Sequence, residues 1–400
     1  MAPQRDGATH KRLLSLVPRG PEWSIDWEEI QGILPAAFAA MTECPQDPNY
    51  HGEGNVLIHT RMVVESLVVD PEWRDLQEAP EDPFGLTDDD RRSMLFWAAV
   101  LHDIGKPECT VLDEDGRYTS KGHSRIGAQM ARRFLWKAGS PFHWREALCG
   151  IIQAHQVPFW LLERENAERL SVELSYNCNT QDLCLHAKHD ALGRICEDQT
   201  AILESVELAR MHFADLACLG RSRKFSNDAS RIEFLKRDDR YIDYVAHEDY
   251  TCEVIMMSGL PGAGKDTWIS KCTADFPVVS LDAIRIEMGI KPTGNQGAVI
   301  QEARERAREH LRAGQDFVWN ATNITRNMRD PILSLFREYG ARTRIVYVEA
   351  DHDSHLRQNA ARQASVPEAV IQKLLRKLEP PTRGDAHDVE FVVPTARARG

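Results

Sequence analysis

One turn constrains this chain more than any other feature: GLPGAGKD, Gly259 to Asp266, set between the apolar run Val254 to Ser258 and a stretch of helical character. GxxxxGK between a strand and a helix is what a phosphate-cradling loop needs. Its glycines let backbone N–H groups converge on phosphate oxygens, the helix start contributes positive dipole, and Lys265 adds a point charge. A bare GxxxxGK arises by chance on the order of 0.1 times in a chain this long, and the flanking elements lower that severalfold. Gly259, Gly262, Ala263, Gly264, Lys265, Asp266 and Thr267 are therefore the expected nucleotide-binding residues. The pattern departs from the usual at Asp266, where Ser or Thr commonly stands, with Thr267 next. Which side chain meets magnesium is left open.

The turn belongs to the second of two regions with different rhythms, and 400 residues exceed what one core usually organises. From Trp27 to Leu219 apolar residues recur at helical spacing, as in NVLIHTRMVVESL and RRSMLFWAAVLHDIG, and the aspartates before Arg91 are placed to cap a helix start. A linker is expected within KRDDRYIDYVAHEDYT; beyond it CEVIMMS, PVVSL, DFVWNA and RIVYVE alternate with helices. Such alternation implies a parallel sheet covered by helices. The expected architecture has two domains: an all-α bundle over 1–245 and an α/β P-loop domain with a parallel sheet and an α-helical lid over 246–400.

Composition excludes several classes. With 61 acidic and 49 basic residues the net charge is -12, which disfavours coating of nucleic acid and leaves a local basic groove or strand-end binding open. Nine cysteines without a CxxC pair argue against a disulfide framework and against sulfur-ligated zinc, so reduced, mostly buried cysteines are expected. No run approaches 18 apolar residues and the first twenty residues lack an apolar core, so a cytoplasmic protein without a membrane partner is expected. LVPRG runs straight into the helical PEWSIDWEEI and is read as native.

Downstream of the turn, PVVSLDAIR puts Asp282 at the end of the second strand, with Arg285 three residues on. Both can face one cleft, and a carboxylate there could accept a proton from an attacking hydroxyl or simply cap its helix. WNATN brings Asn320, Thr322 and Asn323 to the sheet edge where open α/β folds bind ligands. RQNAARQASVP places Arg357 and Arg362 before a helix, suited to a cationic flap. In this order, GLPGAGKDTW, SLDAIR, WNATN and RQNAARQASVP resemble the phage-type 5′-hydroxyl polynucleotide kinase family over residues 252 to 400. The resemblance makes Lys265 the phosphate ligand, Asp282 the general base, Arg285 a clamp on the acceptor's neighbouring phosphate and Arg362 the lid arginine.

In the first region, His59, the pair His102-Asp103, His123, His155 and Asp190 lie on or beside separate apolar helices. Once dehydrated, polar groups on inner faces need partners, and a divalent metal satisfies several at once. A lone histidine is more often a hydrogen-bonded core or surface residue, the reading given to His10, His143, His212, His247 and His387; His186 and His189 stay ambiguous. His102-Asp103 ends a long apolar helix and is followed by Ile-Gly-Lys, so that Lys106 could hold a substrate phosphate. The set H…HD…H…H…D resembles the HD-domain metal phosphohydrolase superfamily over residues 50 to 215. The resemblance gives one metal to His59, His102, Asp103 and Asp190, and a second to Asp103, His123 and His155. His51 could touch substrate or do nothing.

A hydrolase and a kinase would be futile on one atom, so the pairing suggests two different strand ends. The whole chain resembles the bacterial end-healing enzymes that join an HD phosphohydrolase to a polynucleotide kinase. That resemblance implies removal of a 2′ or 3′ phosphate, a 2′,3′-cyclic one included, and NTP-dependent phosphorylation of a 5′-hydroxyl. It also implies ATP or another NTP with Mg2+, one or two divalent metals among Mn2+, Co2+, Ni2+ and Fe2+, RNA or DNA ends as partners and a ligase acting afterwards; a homodimer is open. Two other readings are a nucleoside or small-metabolite kinase fused to a nucleotide phosphohydrolase, and a nucleotide-sensing regulatory module.

Overall fold

The computed structural model describes residues 9–273, 275–291, 294–361 and 365–394, so Arg362, expected in the lid, lies outside the described residues. The chain divides into two compact units at Lys224 and Phe225. No helix among the described residues is long and apolar enough to cross a membrane.

The first unit is helical, as its periodicity predicts. Helix α1 (Val56–Val69) starts at Asn55, whose side chain accepts from Ile58 N, and turns His59, Thr60, Val63, Val64 and Leu67 inward. Helix α2 (Asp88–Leu101) begins with a capping box between Thr87 and Asp90, so the cap is Thr87 and the aspartates form the first turn. From Ser93 to Leu101 every residue of α2 is buried. A helix apolar all round belongs at the centre of its unit, where each large side chain contributes roughly 1.5–3 kcal/mol on burial. Around it lie α3 (His123–Lys137), α4 (Phe142–Ala154), α5 (Thr180–Leu192) and α6 (Gln199–Asp215). A buried ion pair between Arg91 and Asp182 ties α2 to α5, with Nε to Oδ2 at 3.0 Å. Helical periodicity did not foreshadow a short antiparallel ladder of Val111–Leu112 with Tyr118–Thr119.

The second unit opens with α7 (Asp228–Lys236), where Arg231 Nη2 donates to the carbonyls of Ala386 at 3.0 Å and His387 at 2.8 Å. The stretch 225–245, expected with the helical domain, therefore packs here because its arginine satisfies carbonyls of the last strand's approach. The sheet is formed by β1 (Cys252–Ser258), β2 (Val278–Ser280), β3 (Phe317–Asn320), β4 (Ala341–Val348) and β5 (Asp388–Val392), in the order β2-β3-β1-β4-β5 with every pair parallel. Helices α8 (Lys265–Cys272), α9 (Leu281–Glu287), α10 (Gln296–Arg312), α11 (Arg326–Glu338), α12 (His352–Ala360) and α13 (Glu368–Leu375) connect or flank the strands. Four strands match the apolar runs read from the sequence; β5, half-buried throughout at the sheet edge, was not foreseen. From β1 the chain steps to one side for β2 and β3 and later returns to the other side for β4. The carboxyl end of β1 is therefore the switch point where such sheets bind ligands.

All nine cysteines are free, six of them buried.

Candidate functional sites

In the first unit, backbone placement decides how each imidazole faces. His102 Nδ1 meets Ala99 O at 2.8 Å, His123 Nδ1 meets Ser120 O at 2.8 Å and His155 Nδ1 meets Ile152 O at 2.7 Å. A carbonyl only accepts, so each ring carries its proton on Nδ1 and presents Nε2 as a lone pair, the arrangement in which histidine serves as a metal ligand. His59 is held likewise, its Nδ1 at 2.9 Å from Glu53 Oε1 and 3.1 Å from Gly193 O.

The four Nε2 atoms converge on two buried carboxylates. His59 Nε2 lies 3.1 Å from Asp190 Oδ1 and 3.8 Å from Asp103 Oδ2, and His102 Nε2 lies 3.2 Å from Asp103 Oδ2. On the other side of Asp103, Oδ1 is 3.3 Å from His123 Nε2 and 3.8 Å from that of His155. Two clusters result, His59 with His102 and Asp190, and Asp103 with His123 and His155, each with its donor atoms within 4.8 Å of one another. Asp103 stands between them, one oxygen toward each. Gly105 permits this approach: a Cβ there would sit 2.3 Å from His123 O and 2.6 Å from Gly127 N.

The electrostatics favour cations. Burial would raise the Asp103 carboxyl, but Lys106 and His102 hold it well below the usual carboxylate range; Arg194 and His59 do the same for Asp190. Burial would lower His59, yet hydrogen bonds to Asp190 and Glu53 outweigh it and its pKa is raised. His155 is lowered well below its ordinary value, chiefly by burial, so it stays neutral. His102 Nε2 has no hydrogen bond, and neither Asp103 oxygen accepts a well-aligned one although Lys106 Nζ lies 2.7 Å from Oδ2. Orphaned donors and acceptors at zero to one per cent exposure are costly unless something binds them. The donor set, imidazole nitrogen with carboxylate oxygen, fits one or two divalent transition metals.

Two participants, Glu53 and Arg194, escaped the sequence reading, and a third, His186, was left ambiguous in it. Glu53 receives His51 Nδ1 at 2.8 Å, His59 Nδ1 at 2.9 Å and Ile195 N at 2.8 Å, which holds its carboxyl below the usual range despite burial. Arg194 donates to Asp190 from Nη2 at 3.1 Å and stacks on Phe159 at 4.7 Å. His186, one turn before Asp190, is buried between the rings of His102 and His155 with neither nitrogen hydrogen-bonded; burial first, then His102, lowers it to about 3. Only the turn YHGEG and the i, i+4 spacing of His186 to Asp190 could have signalled them. His189 lies outside the nest, bound to Asp70 and Ser66. Lys106 is buried, with Nζ 2.6 Å from Gln46 Oε1 as well as against Asp103.

In the second unit the switch point is shaped by backbone. Gly259 has φ 142° and a Cβ there would lie 2.3 Å from Val348 O; Gly262 and Gly264 also have positive φ. Gly259 N donates to Thr322 O at 2.9 Å, and Ser258 and Asn323 lace the end of β1 to the loop after β3. Lys265 Nζ donates to the carbonyls of Gly259 and Leu260, both at 2.9 Å, and Asn320 Nδ2 donates to Asp266 Oδ1 at 2.8 Å. Ala263 is buried, whereas Asp266 and Thr267 are exposed.

Asp282 follows β2 by two residues, and Ser280 of β2 pairs with Asn320, so the carboxylate belongs to the same sheet end as the glycine turn. Ser280 caps α9, leaving Asp282 free of that duty; its side chain is 76% exposed and paired with Arg285, whose Nε donates to Gln296 Oε1 at 3.0 Å. Arg357 lies inside α12 rather than before a helix, with Nη2 on Ser354 Oγ at 2.9 Å. The end of α12 reaches the turn, since a Cβ on Gly262 would meet Asn359 Cβ at 3.5 Å.

Residues 73–177 match the family model of the HD domain and residues 254–381 that of an AAA domain. The chain thus joins a helical unit that carries the HD-domain match to an α/β unit that carries the AAA-domain match. The matched HD stretch holds His102, Asp103, His123 and His155; His59 and Asp190 lie beyond it and are brought in by α1 and α5. Over 65 residues the chain is 35% identical to the A-adding tRNA nucleotidyltransferase of Deinococcus radiodurans, covering 16% of this chain and 15% of that protein. It thus spans under a sixth of the length of that curated relative. A sugar kinase from Janibacter sp. HTCC2649 aligns at TM-score 0.27 and 17% identity, over 36% of this chain and 84% of its own. A gluconokinase from Sinorhizobium meliloti 1021 aligns at TM-score 0.27 and 20% identity, over 37% and 86%.

Proposed function

We propose that this protein heals broken nucleic-acid strands, the HD domain removing a terminal 2′ or 3′ phosphate and the P-loop domain phosphorylating a 5′-hydroxyl. The observation that carries the polymeric acceptor is the Asp282–Arg285 pair, an exposed carboxylate on a half-buried guanidinium at the sheet end that holds the glycine turn. An acceptor on a long strand needs an open approach, and an exposed carboxylate beside a guanidinium supplies a proton acceptor and a phosphate contact together. In the transfer, the bond from the γ-phosphorus to its bridging oxygen breaks, a bond to the 5′-oxygen forms and the hydroxyl proton goes to Asp282. Arg285 faces the neighbouring phosphate of the acceptor. Lys265 and the backbone of residues 259–264 cradle the NTP phosphates, with Mg2+ as counter-ion.

In the HD domain, His59, His102, Asp103 and Asp190 would hold one divalent metal, and Asp103, His123 and His155 the other. Bound metals would supply a Lewis acid and a nucleophilic water at neutral pH. The chain's own contribution is orientation: carbonyls clamp the imidazoles, Glu53 fixes His59, and Lys106 neutralises Asp103 at the place where a phosphate enters. A 2′,3′-cyclic phosphate and a following ligase complete the proposed sequence.

The test is product analysis of an oligonucleotide with a 5′-hydroxyl and a 3′-phosphate, incubated with divalent metal, with and without ATP. Loss of the 3′-phosphate in both and a new 5′-phosphate only with ATP are expected. Phosphorylation of nucleosides but not of the oligonucleotide would transfer the kinase half to small metabolites, and no turnover of either end would leave a nucleotide sensor.

A further inference from the structure

Asp266 occupies a position commonly held by a hydroxyl, and the structure places it deliberately. It follows Lys265 in the first turn of α8, and its Oδ1 accepts from Asn320 Nδ2 at 2.8 Å. Asn320 is the last residue of β3, next to β1 in the sheet. The hydrogen bond therefore turns the carboxylate toward the sheet end rather than out along the helix, as an ordinary first-turn acid would lie.

A carboxylate there conflicts with the loop's purpose. Converging N–H groups and Lys265 gather phosphate anions, and a fixed negative charge beside them repels the same anions. At about 5 Å and an effective dielectric near 20, repulsion between two unit charges corresponds to roughly a hundredfold in binding. Solvent at this exposed position reduces that to about tenfold. An interposed divalent cation removes the conflict and turns the carboxylate from a liability into a ligand, since magnesium is commonly held by one or two carboxylates together with substrate phosphates.

We propose that Asp266, positioned by Asn320, is the side chain that meets the nucleotide's magnesium, and that its charge makes the loop select the magnesium complex of a nucleoside di- or triphosphate over the free nucleotide. The inference rests on the nucleotide-binding reading of the turn and assigns a role that the motif alone leaves open between Asp266 and Thr267.

Calorimetric titration of the full chain with ADP, once in excess Mg2+ and once in EDTA, tests it. The wild type should bind ADP at least about tenfold more tightly with Mg2+. Asp266→Asn keeps an oxygen for Asn320 but removes the charge; its metal-free binding should tighten about tenfold and its gain from Mg2+ should shrink. Asp266→Ser, which restores a hydroxyl, should also tighten metal-free binding while keeping the magnesium complex within a few-fold of wild type. Asn320→Ala leaves the charge and loosens its aim, so the Mg2+ concentration needed for half-maximal ADP binding should rise severalfold. Wild-type behaviour of Asp266→Asn in both titrations would overturn the proposal, as would loss of the Mg2+ gain in Thr267→Ala alone. Lys265→Ala distinguishes a deeper failure: if it binds ADP as the wild type does, the turn is not the nucleotide site and both readings fall.

Discussion

The two sites solve opposite problems. In the HD domain the reactive groups are side chains from α1, the exit of α2, the start of α3, the exit of α4 and the last turn of α5, with partners as far apart in the chain as His59 and Asp190. They are buried, and the rings of His102, His123 and His155 are oriented by carbonyls three residues back, that of His59 by Glu53 and Gly193 O. In the P-loop domain the shape is set by one contiguous turn and two strand ends, and Asp282, expected to handle the acceptor, is exposed. A small cation can be enclosed by preorganised side chains, whereas the nucleotide and strand end proposed for the other site would have to enter and leave, which favours a backbone cradle with open access. The two units should accordingly fail independently and by different physics.

The largest effect should come from Asp103→Asn. It removes the carboxylate that stands between the two histidine clusters and leaves Lys106 Nζ beside a neutral group. Phosphatase activity should fall about a thousandfold, the scale on which loss of a central electrostatic group acts. Metal content by elemental analysis should fall with it, while the proposed 5′-kinase activity stays within about twofold, since Asp103 and the groups around it all belong to the first unit. The mirror experiment is Gly259→Ala, whose methyl would meet Val348 O at 2.3 Å. Displacing the cradle by about an ångström should cost the kinase roughly a hundredfold and leave the phosphatase untouched. If either variant silences both activities, the independence of the units is wrong.

A smaller change sharpens the same contrast at Glu53, which stands behind His59 and His51. Glu53→Gln retains an acceptor for one imidazole but not the charge that serves two. Metal affinity should weaken 10- to 100-fold, the usual cost of losing an outer carboxylate, read from the metal concentration that restores phosphatase activity. Unchanged metal dependence would reduce Glu53 to a turn residue.

Legibility in the sequence followed the same divide. The glycine turn, its strand and the following helix were readable because contiguous residues specify a contiguous structure. The histidines were readable as a set because separate apolar helices each carried one, and the resemblance supplied their division into two groups, but the carbonyls that orient the rings were not readable. Glu53 sits in an exposed-looking turn, YHGEG, and acquires its role from Ile195 N and two imidazoles that only folding delivers. Residues 225–245 read as the tail of a helical region because α7 has helical spacing, whereas Arg231's partners, the carbonyls of Ala386 and His387, lie far down the chain. Strand β5 escaped because an edge strand, half-buried along its length, lacks the apolar run that marks the central ones.

His387 gives the smallest and most local test, and it lies away from both sites' reacting groups. Read from sequence as an ordinary hydrogen-bonded histidine, it accepts Thr343 N on Nδ1 at 3.0 Å and Thr343 Oγ1 at 2.9 Å, with Tyr250 against its ring. Burial first, then the charges of Arg337, Arg342 and Arg231, lower it to about 4 from an ordinary 6.5. Between those values the unfolded chain binds a proton that the folded one refuses. Its contribution is therefore complete above pH 6.5 and is lost as the pH falls through about 4. Lowering the pH from 6.5 to 5.5 should cost about 1 kcal/mol from this residue alone. Asparagine can still accept from Thr343 N but does not titrate, so hydrogen exchange of the β4 amides, corrected for intrinsic pH dependence, should lose less protection over that interval in His387→Asn than in the wild type. Protection in the helices of the HD domain should respond identically in both proteins, because nothing in that unit depends on this proton.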